Sequence, residues 1–300
     1  MARNPAWSRD ELLLAFRLYC QEPFGRLHTR NAAVRGVAGL IGRTAAAVVF
    51  KACNFASLDP FHQRRGVAGL RNVGRADVRL WEEFADDSEG VAAEAEAAFE
   101  RYAAAALRPE EPSPGLSPRE ASGFEVAEVA PPHPNPLPRR VPSPDEMREG
   151  TERPVFEIPE GATEFEAVVR ARRVQRFFRR AVLTSYGGAC AISGVPVAEL
   201  LNASHIVPWS ADARRRADPR NGIALHALYD RAFDRGLLTF DEALRVVVSP
   251  ELAVAEATPL HRSTLLEIAG TPLRPPDRFH PDPAALDYHR REVFRGKVEG

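Results

Sequence analysis

The fold-deciding stretch of this 300-residue chain begins with Asn202-Ala203-Ser204-His205-Ile206-Val207-Pro208-Trp209. It continues through Asn221-Gly222-Ile223-Ala224-Leu225 to Asp230–Asp234, and Cys190-Ala191-Ile192-Ser193-Gly194 precedes it. The stretch is an ordered series of polar residues. Its histidine can take up a proton near neutral pH, because a neutral imidazole has a pKa of about 6.5. We therefore place the candidate functional site between about residues 190 and 240.

The phrase SHIVPWS, with Asn-Gly some sixteen residues later and AFDRGLLTFDE after that, resembles the HNH endonucleases. In that family a β-hairpin and a following helix present a histidine, an asparagine and metal ligands. The resemblance therefore implies a ββα-metal nuclease domain within an α+β protein. The segments WSRDELLLAFRLY and GRTAAAVVFKACNFASLD also resemble the region that precedes the nuclease in bacterial HNH restriction endonucleases.

The resemblance implies a role for four residues of the stretch. His205 falls on the family's general base, and Asn221 falls on the residue that fixes the loop and orients the base. Asp230 and Asp234 stand where commoner members have metal-binding histidines. Four residues apart on a helix, the two carboxylates would project from one face. Oxygen ligands favour Mg²⁺ or Mn²⁺ over zinc, so we predict one of these divalent ions as the cofactor.

Two further positions are candidate metal ligands of weaker type. Ser204 precedes the base where the family often has aspartate or histidine, so the third ligand is left to Ser204, to water or to a DNA phosphate. His226 lies one turn before Asp230, so it is a candidate for helping to bind the metal or the DNA. The alternative, which we favour, is a capping or partly buried histidine. No structural zinc is expected, because only Cys190 remains of the two cysteine pairs that hold it in other members.

An arginine-rich helix pattern over residues 165–183 precedes the site. Several of its arginines share faces because they are three or four residues apart. We predict DNA-backbone contacts for residues of this helix and of the site helix, against the alternative of a merely solvated face: Arg173, Arg176, Arg180, Arg231 and Arg235.

The chain divides into three parts by composition. Thirteen of its 26 prolines lie between Pro109 and Pro159, which predicts a flexible linker over residues 106–160. The linker separates a helical domain at 1–105 from the nuclease domain at 161–300.

Two short helices in the first domain flank Gly42-Arg43-Thr44 and predict a helix-turn-helix, with Arg43 and Lys51 facing outward towards DNA. An ordinary helical domain with solvated arginines is the alternative.

The whole-chain composition is that of a globular protein, with 44% hydrophobic and 27% charged residues. The formal net charge of −1 gives no general attraction to nucleic acid. We expect a cytoplasmic protein without a membrane role, because neither a signal peptide nor a run of about 20 apolar residues is present in the sequence.

Together these features predict a metal-dependent endonuclease acting on double-stranded DNA, with restriction or defence against foreign or modified DNA implied by the resemblance. Two alternatives remain: an inactive, DNA-binding relative, and the nuclease effector of a larger defence complex. A homodimer would most easily cut both strands, and nicking by a monomer is equally compatible.

Overall fold

The structure, a computed structural model, describes residues 6–64, 73–107, 162–254 and 256–298. Helices make up its N-terminal part, and two small sheets with short helices make up its C-terminal part, so the predicted α+β class is confirmed. The predicted proline-rich linker lies almost wholly outside the described residues.

The N-terminal part contains six helices within the described residues: α1 (Arg9–Gln21), α2 (Ala32–Leu40), α3 (Ala45–Leu58), α4 (Pro60–Arg64), α5 (Arg75–Asp86) and α6 (Ser88–Ala106). Helix α1 begins at a capping box. The Glu11 amide donates to the Ser8 hydroxyl at 3.2 Å, and the Ser8 amide donates to the Glu11 carboxylate at 2.7 Å. This reciprocal bonding satisfies amides that a helix start would otherwise leave without partners.

Helices α2 and α3 form the predicted helix-turn-helix and are bent by 106° relative to each other. Gly42 has a φ of +66° in the turn, and the Thr44 hydroxyl accepts the Ala47 amide at 3.2 Å to start α3. Among the described residues, no single helix is long and apolar enough to cross a membrane. The bent α2–α3 pair meets that length and composition only when its two helices are counted together.

Helix α7 (Ala162–Ser185) presents two apolar faces to two hydrophobic clusters. Val174, Phe177 and Ala181 pack into the cluster formed by the N-terminal helices. Phe178 and Val182 pack into the cluster of the C-terminal part. Because these residues recur at intervals of three and four, one helix buries both faces. Residues 1–107 and 166–300 accordingly belong to one compact unit, while the predicted boundaries near 105 and 160 stay predictions.

The candidate site rests on two antiparallel strands followed by a helix: β1 (Leu201–His205), β2 (Gly222–His226) and α8 (Ala227–Asp234). His205 is paired with Gly222 across the strands. A Cβ atom on Gly222 would lie 2.4 Å from Val182 and 2.7 Å from Phe178. Glycine is therefore required here for α7 to approach the strands closely.

The remaining elements are a second antiparallel pair, β3 (Leu238–Phe240) and β4 (Val246–Val248), and two helices, α9 (Pro259–His261) and α10 (Pro283–Tyr288). The C-terminal segment is tied to the N-terminal helices through Arg278, whose side chain is fully buried. Its guanidinium donates to the carbonyls of Tyr19, Cys20 and Glu22 at the end of α1. These carbonyls have no partner within the helix, so the buried arginine supplies the missing donors.

Candidate active site

A cavity of about 620 Å³ opens between α7, β1 and α8. Six of the residues predicted from the sequence line it: Ser204, His205, Asp230, Arg231, Asp234 and Arg235. The two strands and the following helix therefore bring a histidine and two carboxylates to one concave surface.

His205 is held by ring contacts and by one hydrogen bond. Its imidazole stacks on Phe178, with ring centroids 3.8 Å apart and an interplanar angle of 10°, and meets Trp209 edge-on at 5.5 Å. Its Nε2 lies 3.0 Å from the carbonyl oxygen of Arg216. A carbonyl only accepts, so Nε2 carries the proton and Nδ1 keeps a free electron pair. Burial lowers the pKa of His205, which favours the neutral imidazole that a general base requires.

Asn221 is buried and fastens the loop that follows His205. Its Oδ1 accepts the Val207 amide at 2.8 Å, and its Nδ2 donates to the carbonyls of Val207 at 3.1 Å and Arg215 at 3.2 Å. Arg215 directly precedes Arg216, whose carbonyl fixes the His205 ring. Asn221 therefore holds the loop in place in the structure, while its role in orienting the base stays a prediction.

Asp230 is held by two donors from β1. Asn202 Nδ2 donates to its Oδ2 at 2.7 Å, and the Ser204 hydroxyl donates to its Oδ1. Asn202 and Ser204 are two residues apart on a strand and so point to the same face. Sequence analysis missed Asn202, although its alternation with Ser204 was the signal that could have identified it. The hydroxyl of Ser204, predicted as a weak metal ligand, orients a carboxylate.

Asp234 lies one turn beyond Asp230 on α8 and lines the same cavity. Burial and the negative charge of Asp230 raise the pKa of Asp234 to about 6. A cation bound beside the two carboxylates would offset the repulsion that Asp234 experiences from Asp230. Their oxygen donors fit the predicted Mg²⁺ or Mn²⁺. Within the described residues, no group of three or more His, Cys, Asp or Glu side chains is arranged to hold a metal.

His226 lies at the other end of the paired strands, and it is not one of the described residues that line the cavity. Its ring stacks on Tyr229 with centroids 4.0 Å apart, and its backbone amide donates to the buried Cys190 sulfur at 3.4 Å. The structure thus places it as a partly buried histidine at the start of α8, which was the favoured alternative.

Arg43 and Lys51 do not face outward as expected. Each side chain is only 12% exposed. Arg43 donates twice to Glu11, at 2.8 and 2.9 Å, and Lys51 contacts both oxygens of Asp77 at 2.8 and 3.0 Å. Their charges are balanced inside the protein, so the expected outward orientation is wrong, and DNA binding by them stays a prediction.

The five arginines predicted on α7 and α8 fall into two groups. Arg173 and Arg176 are ion-paired with Glu96 and Glu100 of α6. For the other three, no ion pair forms with any carboxylate in the described part of the chain, and all three side chains are exposed: Arg180, Arg231 and Arg235.

In a comparison with known families, residues 190–241 match the HNH endonuclease family. The matched segment contains both strands, the site helix and the cavity-lining residues His205, Asp230 and Asp234. No curated protein matches the chain.

Proposed function

Because the chain carries an HNH endonuclease domain at residues 190–241, we propose that it hydrolyses DNA phosphodiester bonds with a divalent metal ion and with His205 as general base. The observation that carries this proposal is the placement of His205, Asp230 and Asp234 around one cavity. A phosphodiester is anionic and resists attack, so both a base and a nearby positive charge are needed.

The proton transfer is assigned to His205. Nδ1 takes a proton from a water molecule while the water oxygen bonds to phosphorus, the bond from phosphorus to the 3′ oxygen breaks, and the released 3′ oxygen takes a proton from solvent. Nε2–H stays bonded to the Arg216 carbonyl, so the ring keeps its orientation as it becomes positively charged. The product strand then carries a 5′ phosphate.

The metal would be held by Asp230 and Asp234, with remaining positions left to water and phosphate oxygens. When bound, it would neutralise charge that builds on the phosphate and on the departing oxygen. Asn202 and Ser204 orient Asp230 for this task through their hydrogen bonds.

A second candidate function is that of a DNA-binding protein with an inactive nuclease domain. It is favoured because no group of three or more His, Cys, Asp or Glu side chains in the described part of the chain is arranged to hold a metal. A role in restriction or defence, the use of a homodimer to cut both strands, and action within a larger defence complex rest on the sequence resemblance alone.

Plasmid cleavage tests the proposal against this alternative. Supercoiled DNA, unmodified and modified, is incubated with the protein and Mg²⁺, Mn²⁺ or a chelator. We expect nicked or linear product only with metal, and its loss in Asp234→Ala. Asp287→Asn, a change at a half-exposed carboxylate that does not line the cavity, serves as the matched control and should cut normally.

The proposal is overturned if wild type never cuts with either metal. DNA binding retained without metal binding in isothermal titration would then establish the inactive-nuclease alternative.

A further inference from the structure

A groove of about 460 Å³ runs along α7, and the residues that border it include Arg172, Arg176, Arg179, Arg180 and Thr184. Two residues of α7, Gln175 and Arg179, border both this groove and the cavity that contains His205. The groove is therefore a continuation of the candidate active site along the helix surface.

The arginines of α7 divide according to their partners. Arg176 donates to the fully buried carboxylate of Glu96 at 2.8 Å, and Arg173 donates twice to Glu100 at 2.9 and 2.8 Å. Glu96 also accepts from Arg17 at 2.9 Å and is the buried centre of this contact. These pairs fasten α7 to α6 and balance the charges of Arg173 and Arg176, so we expect both to attract a phosphate less strongly than an arginine without a carboxylate partner.

Arg172, Arg179 and Arg180 have no such partner. All three are exposed, and no carboxylate of the described residues lies within ion-pair distance of them. Arg179 makes only a long contact of 3.4 Å to the Ala198 carbonyl. Residues seven and eight positions apart lie on one helix face, and the two helical turns between Arg172 and Arg179 span about 10 Å. Unpaired guanidiniums along a groove are complementary to consecutive phosphates.

We infer that this groove binds the phosphate backbone of duplex DNA beside the bond to be cut, through Arg172, Arg179 and Arg180. The inference rests on the proposed function and extends it, because it gives the path of the substrate away from the cavity. It also assigns Arg173 and Arg176, predicted from the sequence as DNA ligands, to the α6–α7 contact.

The test is the salt dependence of binding to a fluorescent DNA duplex, measured in the uncleaving His205→Ala background with a chelator. The logarithm of the association constant falls linearly with the logarithm of the salt concentration. Each lost phosphate contact should reduce the magnitude of this slope by about 0.9. We expect the magnitude of the salt slope to fall by about 1.8 in the double variant Arg172→Ala/Arg180→Ala. It should not change in Arg79→Ala, a substitution of an exposed arginine of α5 outside the groove.

Arg176→Ala distinguishes the two groups of arginines on the same helix. It should leave the salt slope unchanged while lowering the melting temperature, because Glu96 loses a partner. An unchanged slope in Arg172→Ala/Arg180→Ala, or an equal loss in Arg176→Ala or Arg79→Ala, would overturn the inference.

The outcome is separable from that of the proposed function, since cleavage is measured with metal and intact His205. DNA binding through the groove without any cleavage refutes only the nuclease proposal. Cleavage with an unchanged salt slope refutes only the groove.

Discussion

The strands β1 and β2 each end in a histidine, and the two imidazoles share several properties. His205 stacks on Phe178 at 3.8 Å and His226 stacks on Tyr229 at 4.0 Å. Burial lowers the pKa of both histidines. Neither the residue type, the stacked ring nor the direction of the pKa shift therefore distinguishes a general base from a packing residue.

What differs is the set of groups around each ring. His205 has its tautomer fixed by the Arg216 carbonyl and lines a cavity shared with Asp230 and Asp234. His226 instead lies beside Tyr229 and the buried thiol of Cys190. A base is thus recognised by an oriented free nitrogen and by acidic neighbours that can hold a metal.

The largest expected difference between the His205 end and the His226 end of the paired strands is in the cleavage rate. His205→Ala should lower it by about 10² to 10⁴, the usual contribution of a general base, while His226→Ala should stay close to wild type. Single-turnover nicking of plasmid DNA measures both, and circular dichroism verifies that both variants fold. Equal losses in the two variants would contradict the distinction drawn between the ends.

A smaller effect is expected when Asp230 loses a donor. Asn202→Ala or Ser204→Ala should weaken Mg²⁺ activation by about 10- to 100-fold, because an unsupported carboxylate is less well oriented towards a metal. The Mg²⁺ concentration at half-maximal rate is the measurement. Ser193→Ala, a serine substitution three residues after Cys190, is the matched control for Ser204→Ala. A Ser204→Ala enzyme with unchanged Mg²⁺ activation would remove the supporting role from this hydroxyl.

Asp234→Asn should change the pH dependence of stability. The pKa of Asp234 is raised to about 6 from 3.8, so the folded state favours the protonated carboxyl. As pH rises through that window the unfolded chain releases its proton first, and wild type loses stability. Without divalent metal, we expect the variant to be more stable than wild type near pH 7, with the advantage shrinking towards about pH 4.

Urea unfolding at several pH values measures this difference. A difference between Asp234→Asn and wild type that is independent of pH would refute the raised pKa of Asp234.

The smallest effect is expected at the end of the paired strands where His226 lies beside Cys190. Replacing the stacked ring in His226→Ala should lower the free energy of unfolding by about 0.5–1.5 kcal/mol, the usual contribution of an aromatic pair, with no change in cleavage. Urea unfolding with and without Tyr229→Ala gives the coupling between the two rings. Additive effects of the two substitutions would argue against the stack.

The resemblance could assign the site residues because they are close in sequence and follow the order of two strands and a helix, and the structure brings His205, Asp230 and Asp234 to one cavity. The spacing of Asp230 and Asp234 places both on one helix face, and His205 ends the first strand. Asn202 was missed although it alternates with Ser204 on β1, because the alternation does not reveal its partner Asp230, which lies 28 residues away.

The arginines were harder to predict, since a guanidinium's role depends on what lies opposite it. Arg176 and Arg180 share a helix and a residue type, yet Glu96 pairs with the first and no described carboxylate pairs with the second. The orientation of Arg43 and Lys51 was predicted wrongly for the same reason, because their ion-pair partners, Glu11 and Asp77, are distant in sequence.

By itself, the sequence predicted the α+β class and the helix-turn-helix, and its resemblance to the HNH endonucleases implied the ββα order and the roles proposed for His205, Asp230 and Asp234. Periodicity, caps and short spacings are local, and they act before any long-range contact forms. Only the tertiary structure decided that α7 joins both hydrophobic clusters, which nitrogen of His205 is free, and which arginines remain unpaired. Those properties depend on burial and on partners that folding brings from distant parts of the chain.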